Sequence, residues 1–302
     1  MSHWSQQVER SNLFWLSALS FAANVLGRGF LAVLCAPIAL FFLVTASDAR
    51  KASRDFLTLV QAGEYHWWHT FRHFYCFARV SSDRLLFLSG KWDRFSLDIE
   101  GEDLIRNFEA SQRGCLLLVS HLGSFDAMRV PAVEQEHIRL RILIDKAHNP
   151  AAMRVISQLN PQLAADMIDA SAPGASLALS LKELLDDGQM VGIMADRAAL
   201  GETVVPVEFL GRQAQFPASP WMMAMALKVP VILCFATWEG GNRYRIRFHQ
   251  VSDGSPVPRR ERQQQLLQNM REYAAILEQY ARERPYSWFN FYDFWTDAST
   301  RD

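Results

Sequence analysis

Residues Cys115 to Ser120 form an apolar run, Cys-Leu-Leu-Leu-Val, closed by a serine. A strand this short and uniformly apolar cannot turn one face to water, so it needs cover on both faces. This requirement predicts a strand inside a sheet with helices above and below it. Other segments supply the partners. Phe95 to Ile99, Arg139 to Ile144, Met190 to Ala195, Val229 to Ala236 and Arg243 to Val251 read as strands. The last two are joined by the turn Gly240-Gly241-Asn242. Residues 49–90, Glu102 to Arg113, Ser176 to Leu185, Ser219 to Leu227 and Pro258 to Arg284 read as helical. Alternating strands and helices predict an α/β fold, a mixed central sheet flanked by helices.

The N-terminus is different. Gly29 to Ser47 carries no charged residue, although Pro37 lies inside it. Its length is close to the roughly 20 residues that span a bilayer. The stretch Leu13 to Leu26 is also apolar and helix-like. A cleaved signal peptide fits less well, because the apolar run is long and is followed by Asp48, Arg50 and Lys51. Residues 1–48 are therefore expected to be a membrane-associated helical segment, spanning or lying in the membrane.

The chain has 302 residues, 50% hydrophobic and 21% charged, which supports a sizeable core and excludes wholesale disorder. A formal net charge of −1 argues against a dedicated nucleic-acid binder. Cys35, Cys76, Cys115 and Cys234 lie in apolar surroundings without Cys-x-x-Cys spacing and read as reduced, buried thiols of a cytosol-facing protein.

Chemistry is easiest to place directly after the apolar strand, in Ser120-His121-Leu122-Gly123-Ser124-Phe125-Asp126. On one continuous helix His121 and Asp126 would lie about 140° apart and could not meet. They can meet if His121 lies on a strand-to-helix turn and Asp126 in the first helical turn. Gly123 then permits the turn and Ser124 caps the helix. In that geometry the imidazole takes a proton from a hydroxyl while the carboxylate holds its other nitrogen. The bland alternative is a loop histidine beside an aspartate that complements a helix dipole, and the spacing alone does not separate the two.

The segment resembles the His-x4-Asp/Glu motif of the lysophospholipid acyltransferase-like superfamily, and within it the lipid A lauroyl/myristoyl acyltransferase family. Three further blocks are similar to that family in the same order. They are Met194-Ala195-Asp196-Arg197, then Val205 to Arg212 followed by Ala214, Pro217 and Ala218, then Leu227-Lys228-Val229-Pro230-Val231. The family's usual Asn-Trp-Glu is replaced here by Ser124-Phe125-Asp126, and its Asp-Gln by Asp196-Arg197. The aromatic ending Tyr286 to Trp295 also differs from its basic tail. These differences suit a divergent member, such as the acyltransferases of aryl-polyene or pigment lipid clusters.

The resemblance implies an acyltransferase domain over residues 49–302, at the cytoplasmic face of a bacterial inner membrane. His121 would be the general base oriented by Asp126. A fatty acyl group would pass from an acyl carrier protein or coenzyme A thioester to a hydroxyl of a membrane lipid acceptor. No metal or redox cofactor is implied. Arg197 and Arg212 are candidates for binding phosphate or carboxylate, since guanidinium pairs with such groups bidentately. Asp196 is a candidate for positioning Arg197 or an acceptor hydroxyl, and Asn149 and Arg154 are further substrate-binding candidates.

Alternatives are a non-catalytic protein that binds lipids or carrier proteins, and a thioester or ester hydrolase. No Gly-x-Ser-x-Gly elbow accompanies Ser120 or Ser124. His66, His69 and His73 share a helical face, which suits metal ligation less well than a helix with polar tips among Trp67, Trp68, Phe71, Phe74 and Tyr75. The aromatic tail reads as an interfacial belt, a lid over an acyl chain, or core packing.

Overall fold

A computed structural model describes residues 27–60, 65–131, 139–147, 149–172, 174–199 and 201–295. The apolar stretch Leu13 to Leu26 lies outside them. The N-terminal part is helical: α1 (Gly27–Thr45), α2 (Ser47–Val60) and α3 (Trp67–Leu88). Next come β1 (Ser96–Glu100), α4 (Glu102–Ser111), β2 (Cys115–Val119), α5 (Phe125–Met128) and β3 (Leu140–Ile144). They are followed by α6 (Pro150–Leu159), α7 (Pro161–Asp166), β4 (Met167–Asp169), α8 (Gly174–Asp186) and β5 (Met190–Met194). The chain then forms β6 (Val204–Phe209), β7 (Arg212–Pro217), α9 (Ser219–Leu227), β8 (Val231–Gly240), β9 (Arg243–Ser252) and α10 (Arg262–Glu283).

Seven strands form one sheet in the order β1-β9-β8-β2-β5-β3-β4. β2 is the middle strand, parallel to β5 on one side and to β8 on the other. The sheet is mixed because β9 runs antiparallel to β8, as the tight Gly240-Gly241-Asn242 connection demands. All five residues of β2 are buried, as its apolar run requires. Leu116 and Leu118 face a core closed by Leu181 of α8, Trp221 of α9, and Met270 and Leu277 of α10. Cys115, Leu117 and Val119 face the opposite core, closed by Val80 and Phe87 of α3, Ile105 of α4 and Met128 of α5.

The expected strands and helices are present, with ends displaced by a few residues. Two regions were not anticipated in full. The passage after β3 contains α6 and α7, each with a proline in its first turn, and leads into β4. The block from Val205 to Arg212 carries an antiparallel hairpin whose turn is Leu210-Gly211. Both turn residues have positive φ, 55° and 75°, the pairing expected of a type I′ turn.

α1 buries Leu31, Cys35 and Ala39, spaced four apart, and packs along α3. Its base is pinned by Arg28, whose Nε donates to the fully buried Asp83 of α3 at 2.8 Å. The Tyr244 hydroxyl of β9 donates to the same carboxylate at 2.8 Å. The outer face of α1 leaves Phe30, Val33, Leu40, Phe41, Phe42 and Val44 exposed. Arg28–Thr45 is long and apolar enough to cross a membrane, and only 22% of it is buried. An apolar face of this size has no favourable partner in water.

Candidate active site

The parallel strands β2, β5, β3 and β8 end at one edge of the sheet, where open α/β sheets collect their functional side chains. His121 follows β2, Asp196 and Arg197 follow β5, and Asn149 follows β3.

The turn after β2 is fixed by the backbone. Ser124 N–H donates to Ala236 O of β8 at 2.8 Å, and Gly123 N–H donates to Ser287 O of the C-terminal segment at 2.8 Å. Gly123 has φ +81°, and a Cβ there would lie 1.8 Å from Ala236 O. Only glycine fits that approach. Ser124 caps α5, its hydroxyl accepting from Ala127 N–H at 3.2 Å. The strand, glycine turn and capped helix therefore form as expected.

Asp126 does not reach the His121 ring as expected. It sits one residue into α5, where its carboxylate meets Arg84 Nε of α3 at 3.2 Å and Arg129 at 4.0 Å. The carboxylate on the imidazole is that of Asp196. Its Oδ1 lies 2.8 Å from His121 Nδ1, and its Oδ2 accepts from His121 N–H at 2.9 Å. The physical reason is strand order. β5 is hydrogen-bonded to β2 in register, Val119 opposite Met194, so Asp196 emerges beside His121. The capped helix instead carries Asp126 towards α3.

The C-terminal segment completes the site. Phe289 N–H donates to His121 O at 2.8 Å, and Leu122 bridges Trp288 as a short antiparallel pair. Trp288 is fully buried and its indole Nε1 donates to Asp196 Oδ2 at 3.2 Å. Arg197 donates to Phe289 O at 2.6 Å and lies over the Tyr292 ring. Its buried Nε has no hydrogen-bond partner among the described residues. The aromatic tail is therefore part of the core and of the site's frame.

Burial raises the Asp196 pKa, but the charge of His121, its hydrogen bonds and Arg197 outweigh it and bring the carboxyl down to about 2. Desolvation and then Arg197 push His121 below its ordinary value, against the pull of Asp196. The pair at neutral pH is thus an ionised carboxylate and a neutral imidazole. With Nδ1 on the carboxylate, Nε2 is the ring nitrogen able to accept a proton, and 29% of the side chain remains exposed.

The other expected site residues are more dispersed. Asn149 sits at the N-cap of α6, its amide donating to Asp145 O at 2.8 Å. Arg154 is exposed on the same helix, and Arg212 is exposed at the start of β7. Among the described residues neither arginine is paired with His121 or Asp196.

The remaining candidates have structural partners. Ser120 Oγ accepts from Leu122 N–H. His69 Nδ1 contacts the Tyr286 hydroxyl at 2.7 Å, and His73 is buried between Ser53 and Trp288. No group of three or more metal-ligating side chains occurs among the described residues. The four cysteines are free and buried, and burial pushes the Cys115 thiol up to about 12, far from a reactive thiolate.

A bacterial lipid A biosynthesis acyltransferase family model matches residues 84–296, which include His121, Asp126, Asn149, Arg154, Asp196, Arg197, Arg212 and Trp288. The chain belongs to this family. It is accordingly an acyltransferase, with a lipid acceptor and an acyl donor in the general sense the family implies. Membership and the exposed apolar face of α1 together indicate membrane association. Among curated proteins no match was found.

Sequence reasoning did not link Trp288, Phe289 and His73 to His121 and Asp196. No spacing rule links Trp288 to Asp196 across 92 positions. The available signal was the unusually aromatic tail.

Proposed function

We propose that the protein transfers a fatty acyl group from an acyl carrier protein or coenzyme A thioester to a lipid hydroxyl at the cytoplasmic face of a bacterial inner membrane. The observation that carries this reading is His121, held by Asp196 through Nδ1, at the carboxyl edge of the sheet.

His121 Nε2 removes the acceptor's hydroxyl proton as the oxygen attacks the thioester carbonyl. Asp196 fixes the tautomer and stabilises the imidazolium that forms. The tetrahedral intermediate expels the thiolate, which takes the proton back from Nε2, and the ester leaves. This addition and elimination involves no redox change and calls for a base rather than a metal or redox cofactor. Arg197, with an unpartnered Nε beside His121, neutralises phosphate, carboxylate or developing oxyanion charge.

Asn149 and Arg154 lie past β3 on the same edge and are proposed as acceptor-side contacts, with Arg212 as an outer anion contact. Asp126 is proposed to act indirectly, holding α5 and the His121 turn against α3 through Arg84. A division near residue 48 into membrane segment and acyltransferase domain is supported by α2, whose Phe56 and Leu57 join the sheet's core.

The test uses purified protein, both classes of fatty acyl thioester and a bacterial membrane lipid extract, with products identified by mass spectrometry. An acylated lipid that disappears with His121→Ala is expected. Free fatty acid as the sole product would indicate hydrolysis instead.

A further inference from the structure

A buried polar chain runs from the N-terminal helices to the carboxylate under His121. Ser53 Oγ of α2 lies 3.0 Å from His73 Nδ1 of α3. His73 Nε2 lies 2.9 Å from Trp288 O. The indole of Trp288 donates to Asp196 Oδ2, and Asp196 Oδ1 meets His121 Nδ1. A carbonyl can only accept, so His73 carries its proton on Nε2, and Nδ1 must then accept from the Ser53 hydroxyl. Ser53 Oγ also lies 3.3 Å from Thr70 Oγ1. Ser53, His73, Trp288 and Asp196 are all fully buried.

Buried polar groups on this scale need a reason, because an apolar core would hold the same helices together without desolvating a carboxylate and an imidazole. We propose that Trp288 is a positioning residue for the His121–Asp196 pair, and that His73 is a positioning residue for Trp288. Asp196 has two oxygens, and rotation about its side chain would carry either away from His121. The indole N–H holds Oδ2, and the His121 backbone N–H holds the same oxygen from the other side. Oδ1 is thereby left aimed at the ring. Trp288 is held through its carbonyl by His73 and through its ring by Phe56 and Phe209, at centroid distances of 4.9 and 5.1 Å.

The inference deepens the proposed function and rests on His121 being the base. Its test separates the two. Trp288→Phe removes the indole N–H and keeps an aromatic ring. Expected is a loss in kcat of about tenfold or more with KM changed less than about twofold, since the indole touches the catalytic pair and not the substrate. The acid limb of the rate profile should also move to higher pH. Without the indole donor Asp196 becomes more basic and holds the imidazolium more tightly. The charged or titratable groups facing the pair are Arg197 and Tyr273, with His73 behind Trp288, and all are unchanged in this variant.

His73→Gln keeps a donor able to reach the Trp288 carbonyl, whereas His73→Leu does not. Gln should retain several-fold more kcat than Leu at equal folded fraction by circular dichroism. If Trp288→Phe leaves kcat and the acid limb unchanged while His121→Ala abolishes transfer, the positioning role is wrong and the base assignment stands. If His121→Ala is fully active, the underlying reading fails instead.

Discussion

The segments that follow β2 and β5 each carry an aspartate, Asp126 in α5 and Asp196 just past the strand end, and the two carboxylates have different partners. Asp126, after β2, faces Arg84 and Arg129. Asp196, after β5, is fully buried and faces the imidazole, two N–H donors and Arg197. Asp126 makes ion pairs with two arginines, one of which holds its helix against α3. Asp196 has a neutral, titratable partner and can stabilise a proton that arrives during a reaction. A carboxylate spaced suggestively from a histidine in sequence is thus a different thing from one hydrogen-bonded to it across a sheet.

The largest expected effect comes from removing the shared partner. His121→Ala should lower acyl transfer about a thousandfold or more in protein that still folds, as checked by circular dichroism. Gly123→Ala should act on both loops at once. With φ +81° and an approach of 1.8 Å to Ala236 O, an added methyl would displace the turn and cost about 3 kcal/mol, read as a lowered unfolding midpoint.

Asp126→Asn should be milder. It removes one partner from pairs whose arginine side chains are 39% and 12% exposed, so about 1–2 kcal/mol of stability is expected, after allowing for solvent screening at Arg84.

The smallest effect is the pH dependence. Since burial and Arg197 lower the His121 pKa, the neutral base persists to below pH 6.5, and the acid limb of kcat/KM should fall below that value. The sign follows for stability as well: the unfolded chain binds this proton more readily, so His121 disfavours the fold as pH drops through 6.5. An acid limb above 6.5 would mean that Asp196 outweighs burial and Arg197.

Much of this was legible in the sequence. The apolar run in β2 predicted a strand covered on both faces, and Gly123 and Ser124 predicted the turn and the cap, because each depends on local chemistry. The ordered blocks pointed to the family. The carboxylate partner of His121 was not legible, since it depends on β5 pairing with β2 rather than on any offset along the chain. Trp288 and His73 were hidden for the same reason: their hydrogen bonds cross 92 and 215 positions. The α6–α7 region supplied only the candidates Asn149 and Arg154, and the β6–β7 hairpin only a motif block; the prolines of the first and the type I′ turn of the second are the local signals that bear on their structure.

The central claim is that Asp196, and not Asp126, is the carboxylate that serves His121. Measuring kcat for Asp196→Asn and Asp126→Asn side by side, at matched folded fraction, tests it most directly. The account predicts a loss of about a hundredfold to a thousandfold for Asp196→Asn and of less than about tenfold for Asp126→Asn. The reverse order would contradict it.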